Sequence, residues 1–483
     1  MSKLIQLCVI FLWNVVFVIL FDSVCAAEMR VFHSAEGKPI NASFEGITGE
    51  MILLKRDDGK VFSITKDKLS AADQTYILQV QEQAGNATKQ LNIAAGHDIS
   101  NGSIFSARKA EELAEALQAP AESKSKYGRS WRLYAAFAKD YKLFGAMPYS
   151  VALYSNEAGF ATMISIVYAN KGDFGSNAGL AEEHFKGGNV ATSKTLLEAM
   201  NRDAETVAKS LTSALGDGKS QRYGEGKTRR EVTRWDWNGH AFLLSNEVNE
   251  YVSLVIVATT LADDGGKVVL TRDTDVKKRL LASVIRFDSG DVLLSEIPMV
   301  NQGPKGYCVP ATFERAMRTM GLEADMYLLA MVGESQAGGG TSPTILLDNV
   351  KHQVLSKGRR IKEEFVKQLR IRDFKRYIDE GIPLMWTLHS VEKYNEIANK
   401  NTKVRENVTD WKSHSATILA ENAEIATIAK PEANGHICMI VGYNEATQEV
   451  AVSDSWGPEF ERRWVPIGVA DWASAGSIFM ILP

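Results

Sequence analysis

Cysteine is scarce in this chain of 483 residues, which contains Cys8, Cys25, Cys308 and Cys438. The first two lie in an apolar N-terminal stretch, so the rest of the chain keeps Cys308 and Cys438. A disulfide scaffold of the kind that stabilises small secreted domains needs more pairs than this. Since no Cys-x-x-Cys pair or Cys/His ligand spacing indicates zinc, we predict neither a metal nor a cofactor.

A strong charge of one sign and a phosphate-binding loop are also absent. The formal net charge is -4, and no basic block or basic–aromatic stripe occurs, which excludes nucleic acid as a partner. The segment GDGKSQRYGEGKT lacks the glycine that a phosphate loop needs five residues before its Gly-Lys-Ser/Thr, because Ser213 and Gln221 occupy those positions. We interpret this segment as a hairpin loop.

Residues 1–27, MSKLIQLCVIFLWNVVFVILFDSVCAA, have the pattern of a targeting segment. Lys3 supplies a positive start, residues 4–21 are mostly apolar, and a small-residue site ends at Ala27. We predict a signal peptide. An uncleaved membrane anchor through residues 4–21 is the alternative, because the stretch is close to the lower length limit of a spanning helix. In either case the bulk of the chain is expected to be exported to the periplasm, cell envelope or medium.

Residues 28–83 form a predicted β-rich module with a short closing helix capped by Ser70. The Gly-containing pairs in AEGK, ITGE and DDGK are strong hairpin signals between β-rich runs. The spacing resembles the Sla-type homology domain, a Src-homology-like small β-barrel. This resemblance implies an adaptor module that binds a protein or peptide. The predicted strands are Met29–His33, Ile40–Ile47, Met51–Arg56 and Val61–Thr65.

The polar, Ala/Ser/Glu-rich residues 84–126 are predicted to be a linker with one short amphipathic helix. Residues 127–290 are predicted to form an α+β domain of unknown role. SVALYSN, ATMISIVYANKGD and HAFLLSNEVNEYVSLVIVAT alternate like strands, and ATSKTLLEAMNRDAETVAKSLTSALG has helical spacing. His240, in TRWDWNGH, is interpreted as a satisfied polar residue within aromatic packing.

Residues 296–483 place Cys308 in NQGPKGYCVPAT, just before an amphipathic helix pattern. A lone cysteine near a helix start is usually a small core residue. A nucleophilic cysteine, however, needs a nearby base and often a helix N-terminus to lower its pKa. Pro310 suits the first turn of such a helix. The residues expected on its buried face are Phe313, Ala316, Met317 and Met320.

The base for Cys308 must come from a distant part of the chain. His436 precedes the β-rich run ICMIVGYN, and Asp454 ends the next strand, EVAVSD. Two adjacent antiparallel strands would set these side chains together, with Asp454 orienting the imidazole ring. His414 and His389 are alternative bases. We expect His414 to be a solvated loop residue, and no acidic strand end follows His389.

The order Gln…Cys-helix…His-strand…Asp-Ser-Trp-Gly resembles papain-like cysteine peptidases, in particular the branch of bacteriocin-processing, double-glycine-leader peptidases. The resemblance implies that Cys308 is the nucleophile, His436 the base and Asp454 its orienting group. It also implies that the Gln302 amide completes an oxyanion hole with the Cys308 N–H, that Trp456 packs over the His–Asp pair, and that the substrate is a peptide or protein.

Two features depart from that family's pattern or add to it. No transporter segment accompanies the domain, and a long polar insertion over residues 390–435 precedes the His strand, where we expect it to cover or narrow the cleft. Cys438 lies two positions after His436, so both side chains face the same side of a strand. We hypothesise that a Cys438–Cys308 disulfide forms under oxidising conditions and silences the thiol.

The sequence therefore predicts an α+β multidomain protein with a small β-barrel, an α+β middle domain and a papain-like α+β C-terminal domain. We interpret it as an exported cysteine peptidase. The first alternative is a cell-envelope binding or scaffolding protein with an inactive peptidase-like domain. The second is a cysteine amidase or transferase that acts on wall substrates.

Overall fold

The computed structural model describes residues 29–48, 50–134, 140–174, 193–267, 271–337 and 340–483. The predicted targeting segment lies outside these residues. Within the described parts, no helix combines the length and the apolar character that crossing a bilayer requires.

The N-terminal module is an antiparallel sheet whose four strands are neighbours in chain order. The strands are β1 (Arg30–His33), β2 (Pro39–Thr48), β3 (Met51–Arg56) and β4 (Val61–Thr65), close to the predicted positions. Strands β1 and β4 form the two edges, so the sheet is not closed into the predicted barrel. Instead, Phe32, Phe44 and Leu54 form a core with Ile77 of the helix that follows.

Helix α1 (Ala71–Ala95) begins where predicted, and the Ser70 hydroxyl caps it by accepting a hydrogen bond from the Asp73 N–H. The helix is much longer than expected because no proline interrupts it, and it ends at Gly96, whose φ of 75° is left-handed. Its first part packs in the core of the N-terminal sheet, whereas Leu91 and Ala95 are buried in the core of the middle region. The two regions therefore share a helix.

Residues 84–126 contain the predicted short helix, but the segment is packed into the middle region rather than forming a linker. Besides the end of α1, this segment contains helix α2 (Ala110–Ala116) and strand β5 (Ala121–Ser125), which is an edge strand of the middle sheet. Ile99, Leu113 and other side chains of the segment are buried in the middle core. Ala- and Ser-rich composition suggested a linker, but small side chains also allow helices to pack closely.

The middle region is an eight-stranded antiparallel sheet of order β5-β6-β7-β8-β12-β11-β10-β9. The predicted strands and long helix are confirmed, and β9 occupies part of the segment that was interpreted as a hairpin loop. The elements are β6 (Gly128–Tyr134), β7 (Ser150–Ser155), β8 (Ala161–Asn170), α3 (Lys171–Phe174), α4 (Ser193–Leu215), β9 (Lys219–Tyr223), β10 (Arg230–Trp237), β11 (His240–Glu247), β12 (Tyr251–Ala258) and α5 (Thr259–Asp263).

Alternate residues of the middle sheet are buried on opposite faces, as the period of two requires. Val252 and Leu254 of β12 pack in the core that contains α4, whereas Val255 and Val257 pack in a second cluster on the other face. The interpretation of His240 is confirmed, because its Nε2 accepts a hydrogen bond from the Phe105 N–H (3.3 Å) and its ring packs against aromatic side chains.

The C-terminal region starts earlier than residue 296. Helix α6 (Asp273–Ala282) contributes Val276 and Leu280 to its core, and β13 (Val284–Arg286) and β14 (Asp291–Leu294) belong to its sheet. The remaining helices are α7 (Cys308–Thr319), α8 (Met326–Val332), α9 (Pro343–Ser356), α10 (Ile371–Asp379), α11 (Glu392–Arg405), α12 (Trp411–Ile425) and α13 (Ile467–Ala473). The remaining strands are β15 (Arg360–Phe365), β16 (Leu384–His389), β17 (Gly435–Asn444), β18 (Glu449–Ser453), β19 (Arg463–Pro466) and β20 (Ser474–Leu482).

Strand β17 is the central strand of this sheet, because β14, β16 and β18 all pair with it in antiparallel orientation. Helix α7 lies across the sheet, and its predicted buried residues Phe313, Ala316 and Met317 are confirmed as core. The opposite side of α7 contacts the middle region through a cluster that includes Tyr134 and Tyr307. Helices and an antiparallel sheet thus share one core, consistent with the α+β class.

Gly381 joins α10 to β16 with a φ of 82°, and a Cβ added there would lie 2.2 Å from the Leu280 carbonyl oxygen. We predict that Gly381→Ala lowers the free energy of unfolding by about 2–4 kcal/mol, through left-handed strain and overpacking against backbone. Gly358→Ala is the matched control. Its φ is 73° but its added Cβ meets only Asp273 Oδ1 at 3.6 Å, so the loss should be about 1 kcal/mol. Urea unfolding measures both, and equal losses would contradict the steric argument.

Candidate active site

Cys308 is the first residue of α7, at the end of the glycine-containing turn, and its side chain is half-buried. The N–H groups in the first turn of a helix have no intrahelical acceptor and carry partial positive charge. Burial raises the pKa of the Cys308 thiol, but the backbone of Ile437, on β17, and that of Val309 act to lower it. The thiol therefore lies where a helix N-terminus meets the edge of the central strand.

His436 and Asp454 come together because β17 and β18 are adjacent antiparallel strands. His436 is the second residue of β17, Asp454 directly follows β18, and His436 Nε2 lies 2.9 Å from Asp454 Oδ1. The side chains are 7% and 0% exposed. Since an ionised carboxylate can only accept, Nε2 carries the proton of this hydrogen bond, which leaves Nδ1 for the thiol.

The imidazole of His436 and the Cys308 thiol interact, and the two groups shift each other's pKa in opposite directions. Burial opposes both charged forms. Nevertheless, the hydrogen bond and charge of His436 hold the pKa of Cys308 below its ordinary value. The hydrogen bonds and charges of Asp454 and Cys308 raise the pKa of His436 to about 9. These directions favour a thiolate–imidazolium pair at neutral pH.

Arg463 is a functional candidate that the sequence reasoning missed. Its Nη2 and Nε lie 2.7 Å and 3.1 Å from Asp454 Oδ2, so the carboxylate bridges an imidazole and a guanidinium. Burial alone would raise the pKa of Asp454, but the His436 hydrogen bond and the Arg463 charge keep that pKa below its usual range. All four residues of β19 are buried, so a charge directly before the apolar pair Trp464–Val465 is the signal that could have found Arg463.

The insertion over residues 390–435 supports this arrangement. Helix α11 packs along β19, and its Asn395 and Asn399 accept hydrogen bonds from Arg463 Nη1 at 2.9 Å and 3.2 Å. We expected the insertion to cover or narrow the cleft. The observed contacts show that the insertion binds the Arg463 guanidinium, which in turn binds Asp454. A buried arginine needs acceptors for all of its N–H donors, and Asn395 and Asn399 supply two of them.

Arg315 connects the helix of Cys308 to the strand end of Asp454. This fully buried side chain donates from Nη1 to the Asp454 and Ser453 carbonyl oxygens (3.0 Å and 3.2 Å) and from Nε to the Pro298 carbonyl oxygen (2.8 Å). Burial lowers the pKa of Arg315 to about 10, still far above neutrality. The contacts of Arg315 were not predicted, because the helical pattern of α7 identifies only its apolar buried positions.

The expected packing of Trp456 over the His–Asp pair is confirmed. Its ring stacks on the His436 imidazole with centroids 4.7 Å apart and planes 27° apart. The Arg463 guanidinium lies 5.2 Å from the same indole ring, and Phe460 packs edge-on against it. The indole therefore shields the imidazole and holds its plane.

Gln302 is buried beside Asp454 rather than hydrogen-bonded within the Cys–His–Asp chain. Its Oε1 accepts a hydrogen bond from the Ser455 hydroxyl (2.7 Å), its backbone N–H donates to the Ser455 carbonyl oxygen (2.8 Å), and its Nε2 donates to the Lys305 carbonyl oxygen (2.8 Å). These contacts assign the amide orientation. Nε2 carries two hydrogens, of which Lys305 takes one.

The alternative bases lie elsewhere. The expectation that His414 is a solvated loop residue is wrong, because it lies on α12, is buried, and places Nε2 3.1 Å from Glu449 Oε2. His389, at the end of β16, has its Nδ1 3.1 Å from the Ala433 carbonyl oxygen. Cys438 is buried, and both it and Cys308 are free thiols, so the hypothesised disulfide is not formed.

No group of three or more His, Cys, Asp and Glu side chains within the described ranges is placed to hold a metal ion.

Comparison with known proteins bears on the C-terminal region. Residues 294–476 match the model of the Peptidase_C39 like family. No curated protein matches the chain. A solved structure, the peptidase domain of Streptococcus ComA, a bi-functional ABC transporter involved in a quorum-sensing pathway, aligns with 38% of this chain and 97% of its own length, at 12% identity and a TM-score of 0.25. The family match supports a cysteine peptidase-like function for this region.

The two free cysteines should differ sharply in reactivity. Iodoacetamide should alkylate Cys308 in the folded protein at a pH below the ordinary thiol pKa of about 8.5. Cys438 should react only after unfolding, because burial and the nearby Asp454 charge raise its pKa well above the usual value. His436→Ala should move the Cys308 alkylation midpoint to higher pH, since the stabilising hydrogen bond and charge are lost.

Peptide mapping by mass spectrometry across a pH series measures these midpoints. His389→Ala is the matched control, because it removes an imidazole from the neighbouring strand and should leave the midpoint unchanged. An unchanged midpoint in His436→Ala, or equal labelling of Cys438 in the folded state, would contradict the proposed charge pair.

Proposed function

We propose that this protein is an exported cysteine peptidase that hydrolyses peptide bonds with Cys308 as nucleophile. The observation that carries the proposal is the convergence of three groups: His436 Nε2 lies 2.9 Å from Asp454 Oδ1, and His436 and Cys308 shift each other's pKa, the thiol's down and the imidazole's up. Perturbed, mutually dependent pKa values are typical of catalytic groups. The family match over residues 294–476 supports a cysteine peptidase-like reaction.

In the proposed reaction the Cys308 thiolate attacks the carbonyl carbon of the scissile peptide bond and forms a C–S bond. The His436 imidazolium gives its Nδ1 proton to the leaving amine as the C–N bond breaks, which leaves a thioester and a neutral imidazole. His436 then takes a proton from water, the hydroxide attacks the thioester, and the carboxylic product departs as the thiolate and imidazolium are restored.

Asp454 is proposed to hold the imidazole in the tautomer and plane that this proton transfer needs, without becoming protonated itself. Its second oxygen is occupied by Arg463 (2.7 Å), so the carboxylate has little freedom to turn away from the ring. The depressed pKa of Asp454 keeps it ionised at neutral pH, where its charge favours the imidazolium form.

Gln302 is proposed to stabilise the oxyanion together with the Cys308 backbone N–H. The Ser455 hydroxyl and the Lys305 carbonyl fix its amide, and the remaining Nε2 hydrogen is the donor assigned to the substrate oxygen. Donors that are already oriented need no reorganisation when negative charge develops.

Three further features belong to the proposal. Residues 1–27 are proposed to direct export, by a cleaved signal peptide or as an anchor through residues 4–21. The N-terminal module is proposed to be a Sla-type homology domain that binds a protein or peptide partner, for which the open edges β1 and β4 offer a place for strand addition. The C-terminal region is proposed to be papain-like and related to bacteriocin-processing peptidases.

The test uses the purified protein with unfolded protein substrates and a peptide library, with products identified by mass spectrometry. Wild type should cleave peptide bonds, and Cys308→Ala should not. Gln302→Ala should lower kcat by about 10²–10³, the cost of one oxyanion donor. Activity should rise as Cys308 ionises and fall as the pH passes about 9, where His436 loses the proton that the leaving amine requires.

His389→Ala serves as the control variant and should retain wild-type activity. A thiol-directed electrophile separates the alternatives when no peptide is cleaved. Labelling of wild type but not Cys308→Ala would leave an amidase or transferase acting on wall substrates. Absence of labelling in both would support a scaffolding protein with an inactive domain.

A further inference from the structure

The active-site loop, defined here as Asn301–Tyr307, immediately precedes Cys308 and is held partly by Ser455 and partly by the middle region. The Asn301 N–H donates to Glu122 Oε1 of β5 (2.8 Å), and the Tyr134 hydroxyl of β6 donates to the Asn301 carbonyl oxygen. Glu122 is itself fixed by Arg132 Nε at 2.6 Å. The start of the loop is thus tied to two strands of another sheet.

Lys305, at the centre of the loop, is an unusual residue to bury. Its ammonium group is 0% exposed and lies 3.2 Å from Asp173 Oδ1, on α3 of the middle region. Three tyrosine rings surround the ammonium, with centroids at 4.6 Å (Tyr134), 4.9 Å (Tyr327) and 5.5 Å (Tyr307). Burial lowers the pKa of Lys305, and the Asp173 charge opposes that shift.

Asp173 is itself held in place, since its Oδ2 accepts from Asn170 Nδ2 (2.9 Å) and its backbone N–H donates to Asn170 Oδ1 (2.9 Å). The adjacent Gly172 packs closely on the Tyr307 ring, because a Cβ added there would lie 2.4 Å from that ring. A buried lysine–carboxylate pair adds little net stability, but it fixes a single geometry when both partners are held.

The same loop position sets the proposed oxyanion donor. The Lys305 carbonyl oxygen accepts from Gln302 Nε2 at 2.8 Å, so a shift of Lys305 moves the partner that orients this amide. The Lys305 side chain is bound by Asp173 of the middle region, whereas its backbone carbonyl binds Gln302 of the active site. A displacement of about 1 Å in such a group can cost about 10² in rate.

We infer that the middle region is a positioning element for the peptidase, and that Asp173, acting through Lys305, sets the Gln302 amide. This inference rests on the proposed function. It assigns the middle region the role of completing an active site to which it contributes no reacting group, so that hydrolysis depends on its contact with the active-site loop.

The experiment compares wild type, Asp173→Asn and Asp203→Asn in the full chain. Asp203 is the matched control, because it is a buried carboxylate on α4 that accepts from the Ala169 N–H (3.2 Å), within the middle region. Hydrogen exchange of the amides of residues 301–307 reports on the loop without any substrate. Cys308 alkylation reports on the thiolate, because it develops no charge on a carbonyl oxygen and needs no oxyanion donor.

Asp173→Asn should speed exchange in the loop by about tenfold and lower kcat by about 10², with KM little changed. Cys308 alkylation should stay within about twofold of wild type, as for a pure oxyanion defect. Asp203→Asn should leave loop exchange unchanged. The double variant Asp173→Asn/Lys305→Met should recover part of kcat, because it no longer leaves an ammonium group buried without its partner.

Unchanged loop exchange in Asp173→Asn, equal loop exchange in both single variants, or no recovery in the double variant would overturn the inference. A parallel loss of alkylation would also overturn it, because the defect would then lie in the thiolate or in folding. If wild type cleaves no peptide, the proposed function fails instead, and the exchange data still decide whether Asp173 holds the loop.

Discussion

The candidate active site depends on one fully buried carboxylate, that of Asp454. A charge removed from water must be paired and hydrogen-bonded, or folding becomes prohibitively unfavourable. Here one oxygen contacts the His436 imidazole and the other the Arg463 guanidinium, while Arg315 binds the backbone carbonyl of the same residue. The hydrogen bonds that Asp454 and its partners need bring several elements together around the end of β18. These elements are α7, α11, β17 and β19.

In the ion-pair form of the site, charge alternates along the chain of groups: thiolate, imidazolium, carboxylate, guanidinium. Each member has an opposite charge beside it, and weak screening in a buried site makes these attractions stronger than they are in water. The neighbouring opposite charges lower the pKa of Cys308, raise that of His436 and lower that of Asp454. Trp456 shields the imidazole, whereas Cys308 stays half-buried and therefore reachable.

Local patterns made much of the fold predictable from the sequence. Gly-containing turns between alternating runs gave all four N-terminal strands, and helical spacing gave the buried face of α7. The positions of Cys308, His436 and Asp454 at helix and strand ends were predictable, because a sequence pattern locates such ends. Arg463 was not found, because beside Arg462 it has the composition of a surface pair, and only its place in the fully buried strand β19 makes it a core residue.

Division of the chain into modules was the least predictable feature, because polar, alanine-rich composition is shared by linkers and by helices that bury one face. The end of α1 looks solvated in sequence, yet its partner is α4, more than a hundred residues later, and no local signal reports such a contact. The Lys305–Asp173 ion pair, between the C-terminal and middle regions, also joins residues far apart in the sequence, and no local pattern predicts it. The segment expected to be a flexible linker and the boundary before the C-terminal region are both packed contacts, so a change in the middle region can reach the Gln302 amide through side chains alone.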